Sequence, residues 1–268
     1  MMRLFVIIVF LLASMVFAEG RYAYEGVTEP IARAVVSATV PGRIDSILVA
    51  EGAFVAKGQV VITLEKEEEA INEAIAKLLA ASKSDLVSTQ KKAETFEKDY
   101  RAVKKLFETS NSVSEDQVWE KELNFKLAEA EFQKQNMVEE REVLESRMAS
   151  VQLAKRVIRA PFDGVIVKIN KNPSESVQAL EPLFEIVDVR QCRMVVYVVA
   201  PEAQGLRRGM ELTLELDGSR TSRTRKGKVD FVSPVVDRSS MLRTVKVVFD
   251  NTDGSIEPGV TGRLLKNR

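Results

Sequence analysis

Two stretches of this chain, ATVPGRIDSI at residues 38–47 and APFDGVIVKI at residues 160–169, align without gaps although a long helical pattern separates them. Ala38 meets Ala160, Gly42 meets Gly164, Ile44 meets Ile166, Ile47 meets Ile169, Val55 meets Val177 and Leu64 meets Ile186. A repeat of about 27 residues, with alternating apolar positions and turn residues at matching places, implies two similar half-sheets. Neither half is large enough to bury a core alone. They must pair across the intervening segment, which makes that segment an insertion in one small β-domain. Gly42 and Gly164 are read as places where the backbone turns or packs closely.

The insertion is helical. From Glu67 to about Ser110 there is no Pro and no Gly, and apolar residues recur as Ile71, Ile75, Leu78, then Ala93, Phe96, Tyr100, Val103 and Phe107. Spacings of three and four mark one helix face. The slip between Leu79 and Ala93 reads as a break in the heptad within one helix, not as a loop. The polar cluster ETSNSVSEDQ then ends one helix and starts another, with Ser114 and Gln117, or Ser112 and Glu115, suited to a capping box. A second helix, from about Glu115 to Lys155, carries Leu123, Leu127, Ala130, Lys134, Met137, Arg141, Leu144, Met148 and Val151 in a four-three rhythm. That rhythm is a coiled-coil seam. Two such helices, each of ~40 residues, form an antiparallel rod of about 60 Å, and their apolar stripes are expected to hold it together.

Composition excludes several chemistries. The chain has no histidine, so a Ser-His-Asp hydrolase, a His-ligated zinc site and a histidine general base are all ruled out. Residues 1–18 read as a secretory signal peptide: Arg3, an apolar run from Leu4 to Phe17, and small residues before a cleavage point after Ala18. The run is short for a spanning helix, which needs ~20 residues, and no Cys follows it to carry a lipid anchor. The protein is therefore expected to be exported, with the run either cut off after Ala18 or kept as an anchor. One cysteine, Cys192, forbids an intrachain disulfide and reads as a small buried apolar residue. Lys plus Arg balances Asp plus Glu at 39 each, which gives no sign of nucleic-acid binding. The remaining Met residues are scattered, unlike a thioether metal relay.

After residue 189, MELTLEL (210–216) alternates as a half-buried strand, and GKVDFVSP and LRTVKVVF add two more, with DG, NTDG and EPG as turns. Short strands at this spacing suggest a small antiparallel barrel. The basic run RTSRTRKGK (220–228) reads as a solvated hairpin, with lipid headgroups or an acidic protein face as the other reading. Trp119, just past the helix turn, is either a partner anchor or packing at the helix start.

The half-motif GRIDSILVAEGAFVAKGQVVITL resembles half of a lipoyl or biotinyl carrier domain. Its split by a helical hairpin, with RAPFDGVIVKINKNPSESVQALEPLFEIV after it, is similar to the periplasmic adaptor, or membrane fusion, family of tripartite efflux pumps, above all the adaptors of resistance-nodulation-division (RND) transporters. The resemblance implies an α+β chain: a split lipoyl-like β-domain interrupted by an α-helical coiled-coil hairpin, then a β-barrel, with the membrane-proximal domain reduced or absent. It divides the chain into a signal peptide (1–18), approach strands (19–37), a first lipoyl-like half (38–65), the hairpin (66–156), a second half (157–188), the barrel (189–265) and a tail (266–268).

The resemblance also implies partners: an inner-membrane RND-type transporter, an outer-membrane channel, and further copies of the chain in a ring. No cofactor and no enzymatic reaction are implied. At the hairpin tip the family pattern of Arg, Leu and Ser falls, counted from Leu106, on Ala102, Leu106 and Val113, while Arg101 and Ser114 lie one residue outside. Channel contact is accordingly expected from Leu106, Ser110, Asn111, Ser112, Val113 and Ser114. Two alternatives stay open: an adaptor of an ABC-type exporter or type I secretion system, and an exported coiled-coil scaffold. A carrier subunit is disfavoured, because Glu68 stands where a carrier keeps its modified Lys and Lys66 lies two residues early.

Overall fold

The computed structural model describes residues 23–110, 112–217 and 222–265. In chain order the elements begin with β1 (Ala23–Ser37), β2 (Gly42–Ile47), β3 (Phe54–Val55) and β4 (Val60–Leu64), followed by α1 (Glu67–Ala81), α2 (Ser84–Ser110) and α3 (Glu115–Lys155). After the helices come β5 (Val157–Arg159), β6 (Gly164–Ile169), β7 (Ser176–Val177), β8 (Pro182–Val199) and α4 (Ala200–Ala203). The chain closes with β9 (Glu211–Asp217), β10 (Ser222–Val232), β11 (Leu242–Asp250) and β12 (Thr261–Leu265). It divides into two compact units, residues 34–186 and the remainder, and the divisions fall within β1 and β8.

In the 34–186 unit the sequence repeat becomes a backbone repeat. The amide of Leu48 donates to Val61 and that of Asn170 to Leu183; Gly52 donates to Ile166 and Ser174 to Ile44; Gly58 donates to Ala160 and Leu180 to Ala38. Each group and its counterpart lie 122 residues apart, the offset that relates Ala38 to Ala160. Strand pairing follows the same rule: Val55 faces Gly164 in β3–β6, and Gly42 faces Val177 in β2–β7. Ala38, Ile44, Val55 and Leu64 are buried together with Ala160, Ile166, Val177 and Ile186 in one core. Each of the larger of these side chains contributes ~1.5–3 kcal/mol by leaving water.

Gly42 and Gly164 are not turn residues. Both open strands, and the turns sit instead at Gly52 and Gly58, whose φ values are 81°, and at their counterparts Ser174 and Leu180, with φ of 70° and 67°. The left-handed backbone is thus kept in both halves, although only the first half supplies glycine for it. A built Cβ shows what Gly42 does: it would lie 2.6 Å from Nη1 of Arg156.

The hairpin leaves and re-enters this unit through paired strands. β4, which runs into α1, pairs antiparallel with β5, which follows α3. Glu67, Glu68 and Glu69 fill the first turn of α1, where the helix dipole favours negative charge. The expectation of one continuous helix from Glu67 to Ser110 is overturned: α1 stops at Ala81 and α2 starts at Ser84. Ser82 is extended, and Ser82 and Ser84 are of a residue type whose hydroxyl can compete with the helix for backbone groups. The break lets the apolar stripe change phase between Leu79 and Ala93.

In the other unit six strands run in the order β1-β12-β9-β10-β11-β8, and β1 also pairs with β8, closing a barrel. Alternation decides its interior: Leu212, Leu214 and Leu216 of β9 point inward with Val229, Val245, Val247 and Phe249. Cys192 lies in this core, and burial pushes its thiol pKa up to about 11. The basic run falls partly in β10, where Arg225 is bound by Asp253 and by the Ser255 hydroxyl. Gly218 and residues 219–221, the rest of the expected turn and run, lie outside the described residues.

Candidate docking surfaces of the helical hairpin

Four contacts set the pairing of the helices. Arg156 binds Glu69, the Ser150 hydroxyl donates to Glu73 at 2.6 Å, Lys92 reaches Glu131 at 3.2 Å, and Tyr100 stacks on Phe125 with centroids 6.1 Å apart. Partners further along α1 and α2 meet partners earlier in α3, so the arrangement is antiparallel from base to tip. Lys77 and Ser150 together hold the Glu73 carboxyl below its usual pKa, the lysine being the larger cause.

The base carries a clamp that sequence reasoning missed. Arg156, the residue after α3, also donates through Nη1 to the carbonyl of Pro41 at 3.0 Å, while its own carbonyl accepts from the amide of Leu64 at 2.8 Å. One residue thus ties α1, the start of β2 and the end of β4 to the end of α3. The only signal in the sequence is an Arg at a helix C-terminus, where a cation also suits the dipole.

The nine-residue seam of α3 does not face the hairpin interior. Leu123, Leu127, Ala130, Lys134, Met137, Arg141, Leu144, Met148 and Val151 are all exposed, with Leu127 at 61% and Met137 at 70%. Ile71, Ile75 and Leu78 on α1 are exposed as well. Ala128 and Glu139 of α3 are buried and Phe125 and Phe132 half-buried, on the side that meets α2, where Ala93 is buried and Tyr100, Val103 and Phe107 are half-buried. Periodicity identified an apolar stripe correctly but not its partner. The inner face holds aromatic and small residues mixed with polar ones, so it was the weaker pattern.

At the tip, Ser114 caps α3 reciprocally with Gln117: the Gln117 amide donates to the Ser114 hydroxyl at 3.3 Å and the Ser114 amide to Oε1 of Gln117 at 3.1 Å. Of the two capping boxes the sequence allowed, the structure uses this one. The Ser110 hydroxyl donates to the Leu106 carbonyl, and Ser112 donates to the Ser110 hydroxyl at 2.6 Å. Val113 is half-buried, Leu106 is exposed, and Asn111 lies outside the described residues. Trp119 is 70% exposed, which removes the packing reading. Six residues beyond the Tyr100–Phe125 stack on each helix, Leu106 and Trp119 stand at one level of the hairpin.

Among the described residues no group of three His, Cys, Asp or Glu is placed to hold a metal ion, and no helix is long and apolar enough to cross a membrane. Comparison with known proteins agrees with this geometry: a model of the CzcB-like barrel-sandwich hybrid domain matches residues 32–188, and one of the CusB-like β-barrel domain matches residues 194–267. The chain belongs to the membrane fusion protein family.

Within that family it is similar to the cobalt-zinc-cadmium resistance protein CzcB of Cupriavidus metallidurans, 23% identical over 219 residues, which are 82% of this chain and 39% of the relative. The multidrug resistance protein MdtN of Escherichia coli K12 is 26% identical over 98 residues, 36% of this chain and 28% of that one. The chain therefore spans well under half the length of the curated relatives it matches. Among solved structures, MacA of Actinobacillus actinomycetemcomitans superposes with a TM-score of 0.73 at 19% identity, covering 91% of this chain and 77% of MacA. In this membrane fusion protein the hairpin lies between the paired strands β4 and β5, within the segment matched by the barrel-sandwich model.

Proposed function

We propose that this membrane fusion protein is the periplasmic adaptor of a tripartite efflux pump, joining an inner-membrane transporter of the RND type to an outer-membrane channel. The observation that carries the reading is the hairpin: a helical rod, clamped at its base to a β-domain built of two equivalent halves, with its longest apolar stripe turned outward. An outward stripe in four-three rhythm suits a coiled-coil contact with a neighbouring copy. Copies so joined form a ring, and the ring encloses a conduit through which solutes pass while no bond is made or broken. The tip residues Leu106, Ser110, Asn111, Ser112, Val113 and Ser114, with Trp119 added, face the channel in this reading. Choice of substrate belongs to the transporter, and the names of the relatives, metal-ion resistance for CzcB and multidrug resistance for MdtN, span both kinds of cargo.

The test is cross-linking in intact cells followed by purification of the chain under mild detergent. Recovery of a multi-span transporter and an outer-membrane channel supports the adaptor. Recovery of neither, with the hairpin intact, overturns it in favour of an exported scaffold.

A further inference from the structure

The hairpin carries two exposed apolar edges that cannot cover each other. On α1, Ile71, Ile75 and Leu78 are exposed, while Glu69 and Glu73 face α3. At about 100° per residue these two sets lie on opposite sides of the helix. The exposed seam of α3 lies likewise opposite the face that carries Phe125, Ala128 and Ser150. One apolar stripe therefore runs along each outer edge of the rod.

The contacts between the helices fix the level of every group on these edges. Glu73 stands opposite Ser150, so Ile75, two residues on, is level with Met148, two residues back. By the same count Ile71 comes within one residue of the level of Val151, and Leu78 within one residue of Leu144. Counted from Lys92 and Glu131, the exposed Val87 comes within one residue of Met137. The charged members of the seam, Arg141 and Lys134, fall level with Ser82 and within one residue of Ser88, where the other edge is polar.

Charges bracket the two stripes in opposite order. The α1–α2 edge has exposed Glu67 at the base and exposed Lys98 and Lys105 toward the tip; the α3 edge has Lys155 at the base and exposed Glu120 and Asp116 toward the tip. Lys105 and Glu120 are level, each five residues from the Tyr100–Phe125 stack. Among the described residues, none of Glu67, Lys98, Lys105, Asp116 and Glu120 has an ion-pair partner.

We infer that the α1–α2 edge of one copy receives the α3 edge of a second copy running in the same direction, head to tail. The inference deepens the proposed ring and rests on that reading for the purpose of the contact. Rotation about an axis along the rods preserves level, so Ile75 meets Met148, Val87 meets Met137 and Lys105 meets Glu120 of the next copy. Unlike edges meet, as a rotation that closes on more than two copies requires. Two α3 edges running the same way would set Glu120 against Glu120; running opposite ways, they would leave Ile71, Ile75 and Leu78 in water.

The experiment purifies the full chain as the single variants Ile75→Cys and Met148→Cys, mixes them and oxidises with copper phenanthroline; Cys192 is buried and stays out of the reaction. The two positions lie on opposite edges of one rod, so a disulfide between them joins two copies. A linked pair is expected from the mixture, several-fold above either variant alone, and the double variant should give a ladder of higher multiples. Ile75→Cys mixed with Leu123→Cys, at the tip end of the seam, should give no pair. Lys105→Glu and Glu120→Lys should each weaken self-association about three-fold in sedimentation, and the chain carrying both should recover it, because each copy presents both edges. Linkage of Met148→Cys to Leu123→Cys, no linkage in any mixture, or no recovery by the double charge variant would each overturn the inference. The purified chain suffices for this measurement. Linked copies without a transporter and channel recovered from cells would sink the adaptor reading alone, and recovered partners without the link would sink this inference alone.

Discussion

Arg156 and Glu69, at opposite ends of the hairpin in sequence, close its base as an ion pair in which each side chain is about four-fifths buried, at 21% and 17% exposure. The same guanidinium occupies the space that a side chain at Gly42 would need. Arg156→Met should therefore cost about 2 kcal/mol in urea denaturation, because Glu69 loses its partner and the Pro41 carbonyl its donor. Gly42→Ala displaces the same guanidinium, so the double variant should be less destabilised than the sum of the single variants. Strict additivity would show that the two residues act separately.

Leu180 holds a left-handed backbone at φ 67° while its side chain is 83% exposed. Its counterpart is Gly58, so the fold itself names the replacement. Leu180→Gly should relieve a strain of ~1–2 kcal/mol, partly offset by the greater freedom of Gly in the unfolded chain, for a net gain of about 0.5 kcal/mol. A small rise in melting temperature is the readout, and a fall would mean that Leu180 packs against something.

Substitutions along α3 should separate by face. Met137→Glu and Leu144→Glu, on the outward stripe, should change monomer stability by no more than ~0.5 kcal/mol yet abolish self-association measured by sedimentation. Ala128→Glu, on the inner face, should unfold the hairpin by circular dichroism. Reversed behaviour would put the seam back inside the rod.

Glu73 gives the hairpin base an acid sensitivity of known sign. Lys77 and Ser150 stabilise its ionised form, so the folded pKa lies below the usual 4.5. The stabilisation is complete above that value and is lost as pH falls through the lower, folded pKa. Glu73→Gln should flatten the stability profile in this acidic window and leave the slope near neutral pH alone.

At the tip, Ser114→Ala removes one side of the capping box and should cost the start of α3 about 1 kcal/mol. Leu106→Asp and Trp119→Ala remove exposed groups and should leave folding intact while lowering efflux in a drug- or metal-susceptibility assay. Unchanged efflux by both, with normal protein levels, would move the channel contact elsewhere.

The β-domain was legible because its information is local and doubled. Alternation at Ile44 and Ile166 and the gapless match around them required two halves that pair, and the structure repeats their hydrogen bonds at the same spacing. Helix α3 was equally legible from Glu115 to Lys155, since Ser114 and Gln117 cap it through groups three residues apart. Helical periodicity, however, reports that an apolar stripe exists and not what covers it. Only packing showed that Leu127 and Met137 look outward while Phe125 meets Tyr100. The break at Ser82 was misread, because no Gly or Pro marks it and the slip between Leu79 and Ala93 shows equally well as a shifted heptad within one helix. Arg156 was the least legible of all, since its partners Glu69 and Pro41 come within reach only when the hairpin closes. The sequence by itself determined which segments are strand, helix and repeat; tertiary structure decided which faces meet, because contacts between residues a hundred positions apart leave no trace in local pattern.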